Sequence, residues 1–225
     1  MLGYAVLGSL LAACGSTVSG HPGPATTGGP QRLDRHIAAP LSTLLPGPEQ
    51  FPNGYAVLTL PPDRARQAGT DLAGIPAGSA TDPADCAPPV PPPGTDDPAA
   101  EVGSDDTTRT SITVELTRDT EPLATLRDQL ERCTVVRTLG GSITKTVTTE
   151  LLPPPPADAD DTLALHRTVA GAVGGPGLTQ STTALIAQID DVRITVASLI
   201  FGDAPADTTA LDQVFTAAVD RVRAG

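Results

Sequence analysis

The chain has 225 residues with 26 acidic and 14 basic side chains, a formal charge of −12, so its surface repels the phosphate backbone of nucleic acid. Tryptophan is missing and aromatics make up 2%, which removes the stacking platforms for exposed bases and weighs against carbohydrate binding. Beyond Cys14 about 200 residues remain, enough for one domain with its own core.

The first element, residues 2–13, is an apolar run closed by Leu11-Ala12-Ala13-Cys14-Gly15. Small residues ahead of a cysteine fit a signal-peptidase cleft, so the string reads as a lipobox. Cys14 is expected to be lipidated with diacylglyceryl and palmitate-type chains and to become the new N-terminus. The run is about half of the roughly 20 residues that span a bilayer as a helix, which makes it a signal h-region rather than a permanent anchor. No basic residue precedes it, and a true start upstream of Met1 is expected. The chain thus divides into a signal peptide at 1–13, a lipidated cysteine and tether at 14–31, and a domain at 32–225. That layout places the domain on the extracytoplasmic side of a bacterial cell membrane.

Residues 15–31 contain almost nothing that packs and should form a flexible tether with an rms span of about 23 Å. His21 lies there, and Thr26 and Thr27 beside Pro24 have both ordinary linker composition and the look of O-glycosylation acceptors. From Leu33, apolar residues recur at helical spacing through Ile37, Leu41, Leu44 and Leu45, but Pro40 interrupts them, which predicts a kinked or broken helix. Phe51-Pro-Asn-Gly-Tyr55 is a turn signal leading into a strand over 55–60. Residues 61–106 are rich in Pro, Gly and Asp, with Cys86-Ala-Pro-Pro-Val-Pro-Pro-Pro93 in the middle, and read as an irregular, exposed spacer more readily than as a polyproline recognition motif.

The second half is more regular. Ile112, Val114 and Leu116 alternate with Thr113, Glu115 and Thr117, a half-buried strand. Asp119 and Thr120 offer caps and Pro122 a first turn to a helix that carries Leu123, Leu126 and Leu130 up to Cys133. Strands follow at 134–138, 142–152 and 162–169, with Pro153 to Pro156 and Asp158 to Asp161 in the loop between the last two. Residues 182–189 and 192–200 form a candidate antiparallel hairpin turning at Asp190-Asp191. A closing helix over 208–223 follows the cap candidate Asp207 and buries Leu211, Val214, Phe215, Ala218 and Val222, with Arg221 and Arg223 where the helix dipole favours cations. The fold class is therefore α+β, a largely antiparallel sheet packed by helices, one of them C-terminal.

Beyond Cys14, Cys86 and Cys133 remain, and an even number in an oxidising compartment implies one disulfide. Closing that loop of roughly 48 residues stabilises a fold by about 4 kcal/mol on chain-entropy grounds. Neither CxxC spacing nor a nearby histidine completes a metal site, and no cofactor motif is present.

Lipobox, tether, Leu44-Leu45-Pro46, Phe51-Pro52-x-Gly54-Tyr55, Cys86, a helix ending at Cys133 and a long hairpin before a C-terminal helix resemble actinobacterial, mycobacterial-type sensor-domain lipoproteins. Those are similar in turn to the extracellular sensor domain of the kinase PknH. The resemblance spans roughly residues 33–223 and implies an antiparallel sheet flanked by helices, a cleft for a ligand and no established catalysis. The kinase sensor usually carries two disulfides, whereas one can form here.

GxSxG, HExxH, Walker and paired CxxC motifs are all missing, and the histidines are His21, His36 and His166. A hydrolytic triad would have to join His166 to Asp190 or Asp191 and a nearby Ser or Thr; a polar histidine on an exposed strand face is the commoner arrangement. Asp158, Asp160 and Asp161 could gather calcium through carboxylate oxygens but lack the glycine and distal glutamate of a dedicated loop, so they read as a solvated turn, as do Asp96-Asp97 and Asp105-Asp106. The expectation is a membrane-anchored lipoprotein with a ligand-binding or sensing domain and no catalysis, its partners being the membrane and a small-molecule, lipid or envelope-protein ligand. A carrier of apolar envelope lipids and an envelope hydrolase are the alternatives.

Overall fold

The computed structural model describes residues 35–76, 78–88, 96–139, 144–171, 179–201 and 206–225; the lipobox with Cys14, the tether and most of the proline run after Cys86 lie outside them. The strands are β1 (Ala56–Leu60), β2 (Ala80–Asp82), β3 (Ala99–Asp105), β4 (Thr110–Arg118), β5 (Val135–Leu139), β6 (Thr146–Leu152), β7 (Asp161–Ala170), β8 (Gln180–Ile189) and β9 (Val192–Phe201), and the helices α1 (Pro62–Ala73), α2 (Leu123–Arg132) and α3 (Thr208–Arg223). All strands join one antiparallel sheet in the order β1-β3-β4-β9-β8-β7-β6-β5-β2. The expected α+β class is what the chain adopts.

The centre of the sheet follows from alternation. Val192, Ile194, Val196 and Ser198 share one face of β9 and are at most 1% exposed. The β8–β9 hairpin closes over Asp190 and Asp191, Asp190 taking φ 48°, the left-handed conformation that a tight two-residue turn requires. α3 covers this face with Leu211, Val214, Phe215, Ala218 and Val222; Asp207 Oδ1 accepts from Ala210 N–H at 3.0 Å as its cap. Residues 35–50 lie in the same layer, where Leu41, Leu44 and Leu45 join the core. They do not form the broken helix expected over 33–45. Pro40 cannot continue a helix, and only a single 3-10 turn, Leu41–Thr43, survives after it.

The opposite face carries α1 and α2. α2 starts at Pro122, which stands at the N-cap with no side-chain cap, so the expected capping by Asp119 and Thr120 and the place of Pro122 inside the first turn are corrected. Asp119 Oδ1 instead accepts from Glu121 N–H at 2.8 Å, closing a local turn. The irregular spacer expected over 61–106 is corrected more fundamentally: it contains α1, β2 and β3. α1 begins on Pro61-Pro62 and ends on Gly74 at φ 70°, the Pro-first, Gly-last pattern of a helix. Cys86 and Cys133 are disulfide-bonded and pack with Ile75, Val136, Val147 and Val169 in a small separate core under the β5–β7 end of the sheet.

Candidate functional site

β4 and β9 pair so that Arg118 stands opposite Val192, which sets the Arg118 guanidinium beside the carboxylate of Asp191 in the hairpin turn. Arg118 Nη1 donates to Asp191 Oδ1 and Oδ2 at 3.0 and 3.2 Å, and its Nη2 donates to Ala39 O at 2.8 Å. The incoming chain completes the cluster. His36 Nδ1 donates to Asp191 Oδ2 at 2.6 Å, Ile37 N–H to Asp191 Oδ1 at 2.9 Å, and Arg35 pairs with Asp190 at 2.7 Å. Burial pushes the Asp191 carboxyl up, but the Ile37 N–H, His36 and Arg118 outweigh it and hold the group below the ordinary carboxylate range.

Of this cluster, His36 and Arg118 line the polar end of a cleft of about 460 Å³ between the 36–45 segment and the β1–β3 edge. Its walls are mainly apolar, with Leu41, Leu45, Leu60, Pro62, Ala99 and Ala100, and Asp96 and Arg118 line the polar end. Asp96 Oδ2 lies 3.6 Å from Arg118 Nε, and the neighbouring Asp97 pairs with Arg66.

The sequence-derived candidates fall elsewhere or in other combinations. Asp191 serves His36 and not His166, so the triad considered around His166 does not assemble. His166 is half-buried on β7 with Thr183 Oγ1 3.2 Å from Nδ1 and Ser181 Oγ 3.3 Å from Nε2. Both ring nitrogens thus meet hydroxyls, and neither meets the carboxylate that would orient an imidazole for base chemistry. Asp158, Asp160 and Asp161 do not converge on a cation. Asp160 accepts from Asp190 N–H at 2.7 Å and from Arg223 at 3.1 Å, Asp161 takes Arg127 at 2.9 Å, and Asp158 lies 3.7 Å from Arg223. The expected solvated turn is therefore braced by arginines. Among the described residues no three His, Cys, Asp or Glu side chains gather as a metal set, and no described helix is long and apolar enough to cross a membrane. Asp105 caps its own turn through Thr107 N–H and Thr108 Oγ1.

Arg118 and Glu115 escaped the sequence reading. Arg118 is the last residue of β4, and its partners Asp191 and Ala39 are 73 and 79 positions away; a lone arginine at a strand end carries no local signal. Glu115 sits on the β4 face turned to α1, where a Cβ added at Gly69 would fall 2.1 Å from its Oε1. Burial pushes its carboxyl up to about 7.

A family model described as a domain of unknown function, DUF5642, matches residues 47–223. No curated protein matches the chain. Among solved structures, an uncharacterized Mycobacterium smegmatis protein, the Rv0999 ortholog, is similar at 23% identity over 78% of this chain and 92% of its own, with a TM-score of 0.48. The extracellular domain of PknH from Mycobacterium tuberculosis is similar at 15% identity over 77% of this chain and 80% of its own, with a TM-score of 0.41.

Proposed function

Starting from a chain that belongs to the DUF5642 family, we propose that it is the extracytoplasmic binding domain of a membrane-anchored lipoprotein, which holds a ligand in the Arg118 cleft and does not transform it. The observation that carries this reading is the cleft itself: an apolar-walled hollow of about 460 Å³ with a few polar groups gathered at one end, the ordinary make-up of a small-molecule site. Its polar end is preorganised. Asp191 receives three donors from two separate segments, the entering chain and the end of β4, so the guanidinium is held in place before any ligand arrives.

The anchor reading rests on Leu11-Ala12-Ala13-Cys14-Gly15. The described chain begins at Arg35 and His36, on the rim of the cleft. A lipid on Cys14, about 20 residues upstream, would keep that rim within some 25 Å of the bilayer for a flexible tether. That proximity and the apolar walls favour a ligand drawn from the membrane, which brings the lipid-carrier reading into the same site.

Two measurements test the proposal. On detergent partitioning the wild-type protein should enter the detergent phase and Cys14→Ala the aqueous phase; a wild-type chain in the aqueous phase with no added lipid mass refutes the anchor. Native mass spectrometry of protein taken from its own envelope should find a bound molecule that Leu60→Trp, which fills the cleft, displaces. A bound molecule that survives Leu60→Trp would place binding elsewhere.

A further inference from the structure

We infer that the cleft takes a single-chain amphiphile carrying one carboxylate, whose acid group binds Arg118 Nε in place of Asp96. This rests on the cleft being the ligand site and specifies what that site selects.

Size sets the first constraint. At roughly 30 Å³ per methylene-sized group, the share of liquid volume taken by a water, a cleft of about 460 Å³ holds about 15 such groups. That is the length of one acyl chain. Leu41, Leu45, Leu60, Ala99 and Ala100 give that chain an apolar wall.

The head group is chosen by an unmet donor. The Arg118 side chain is only 10% exposed, and two of its three nitrogens are committed, Nη1 to Asp191 and Nη2 to Ala39 O. Its Nε is buried and makes no hydrogen bond to any described residue. A buried N–H in that condition costs free energy until an acceptor reaches it. The acceptor nearest in charge, Asp96 Oδ2, stops at 3.6 Å, beyond hydrogen-bond range, and the Asp96 side chain is 67% exposed. Asp96 therefore occupies the position of an acid without completing its contact, and it is free to turn outward.

Exchange of Asp96 for a ligand carboxylate leaves the charge around Arg118 unchanged and gives Nε its hydrogen bond. A phosphate head would bring further negative charge toward Asp96, Asp97 and Asp191 for the sake of a single open donor. An amine head would meet the guanidinium. An alcohol head could accept from Nε, but without the gain of a charge-assisted contact.

The test uses the full chain carrying Cys14→Ala, so that no detergent is needed, with cis-parinaric acid as a fluorescent probe displaced by palmitic acid, 1-hexadecanol or hexadecyl phosphate. Palmitic acid should compete at least about tenfold better than hexadecanol, the size of one charge-assisted hydrogen bond, and better than the phosphate. Asp96→Ala should tighten palmitic acid about threefold, the worth of a half-exposed ion pair, and leave hexadecanol unmoved. Leu60→Trp should abolish binding of both. Equal binding of acid and alcohol, an Asp96→Ala chain with unchanged acid affinity, or no binding of any probe overturns the inference. If the probes fail while Leu60→Trp still displaces a different molecule that co-purifies with the wild type, the cleft remains the ligand site and only its assigned chemistry falls.

Discussion

Glu115 should make the protein lose stability as pH rises through neutrality. Its carboxyl faces α1 from β4, opposite Ala100 on β3 and Thr195 on β9, with the Gly69 backbone close above it. Burial alone moves it from 4.5 to about 7. Between those values the folded protein keeps the proton while the unfolded chain releases it, so the folded state binds more protons and stability falls with rising pH. The loss is complete above about pH 7. At 1.36 kcal/mol per pH unit of separation it amounts to about 3 kcal/mol, a large share of the 5 to 15 kcal/mol typical of a domain. Glu101, buried on β3 with Glu49 nearby, is raised for the same leading reason and acts in the same sense, although the Gly47 N–H opposes it. Asp191 acts oppositely, since its lowered value gives stability that is lost only as pH falls through its folded value, below the ordinary 3.8. The assay is urea denaturation followed by circular dichroism at pH 5, 6, 7 and 8. The wild type should lose stability progressively over that range, and Glu115→Gln should remove most of the loss, leaving the smaller part due to Glu101. An unchanged slope in Glu115→Gln would refute the reasoning.

Gly69→Ala should run against the usual gain of about 1 kcal/mol for replacing a helical glycine, because the new Cβ would meet Glu115 Oε1; the gain should return in a Glu115→Ala background, and additive effects in the double-mutant cycle would exclude the contact. Cys133→Ser opens a loop with a sequence separation of 47 and should cost about 4 kcal/mol, read in calorimetry as a fall in Tm of about 10 °C; an unchanged Tm would contradict the entropic account. Asp207→Ala removes the acceptor of the Ala210 N–H and should cost about 1 kcal/mol in urea titration, with Asp207→Asn restoring most of it.

The elements legible in the sequence are those whose own residues carry both pattern and boundary. α3 was fixed by Asp207 in front, an apolar stripe from Leu211 to Val222 and Arg221 and Arg223 behind, and it spans Thr208–Arg223 as the pattern predicts. The β8–β9 hairpin was equally explicit, with an apolar run in β8 and alternation through Val192, Ile194 and Val196 in β9 on either side of a two-residue turn. By contrast, the Leu33–Leu45 spacing mimics a helix, yet Leu41, Leu44 and Leu45 reach the α3 core from a segment whose described part holds only one 3-10 turn, and only Pro40 hinted at it. The Arg118–Asp191–His36 cluster had no local trace, since its members come from a strand end, a turn and the entering chain, and proximity arises only once β4 and β9 are in register.

The errors around α1 and Glu115 have one cause. Alternation in β4 placed Thr113, Glu115 and Thr117 on a face assumed to be solvated, as is usual for an antiparallel sheet with one polar side. α1, meanwhile, buries only Ala65 and Leu72, too little apolar periodicity to announce a helix. Each weak signal conceals the other. A strand face that presents a carboxyl and threonines cannot dock a leucine-rich helix, and a helix that docks there must approach through small residues, with Gly69 at the closest point. The polar strand face and the poorly amphipathic helix are therefore complementary surfaces, and they close at least cost while the Glu115 carboxyl holds its proton. Coupling between positions 69 and 115, together with a pH slope that disappears in Glu115→Gln, is what this complementarity requires and what two independent surfaces would not produce.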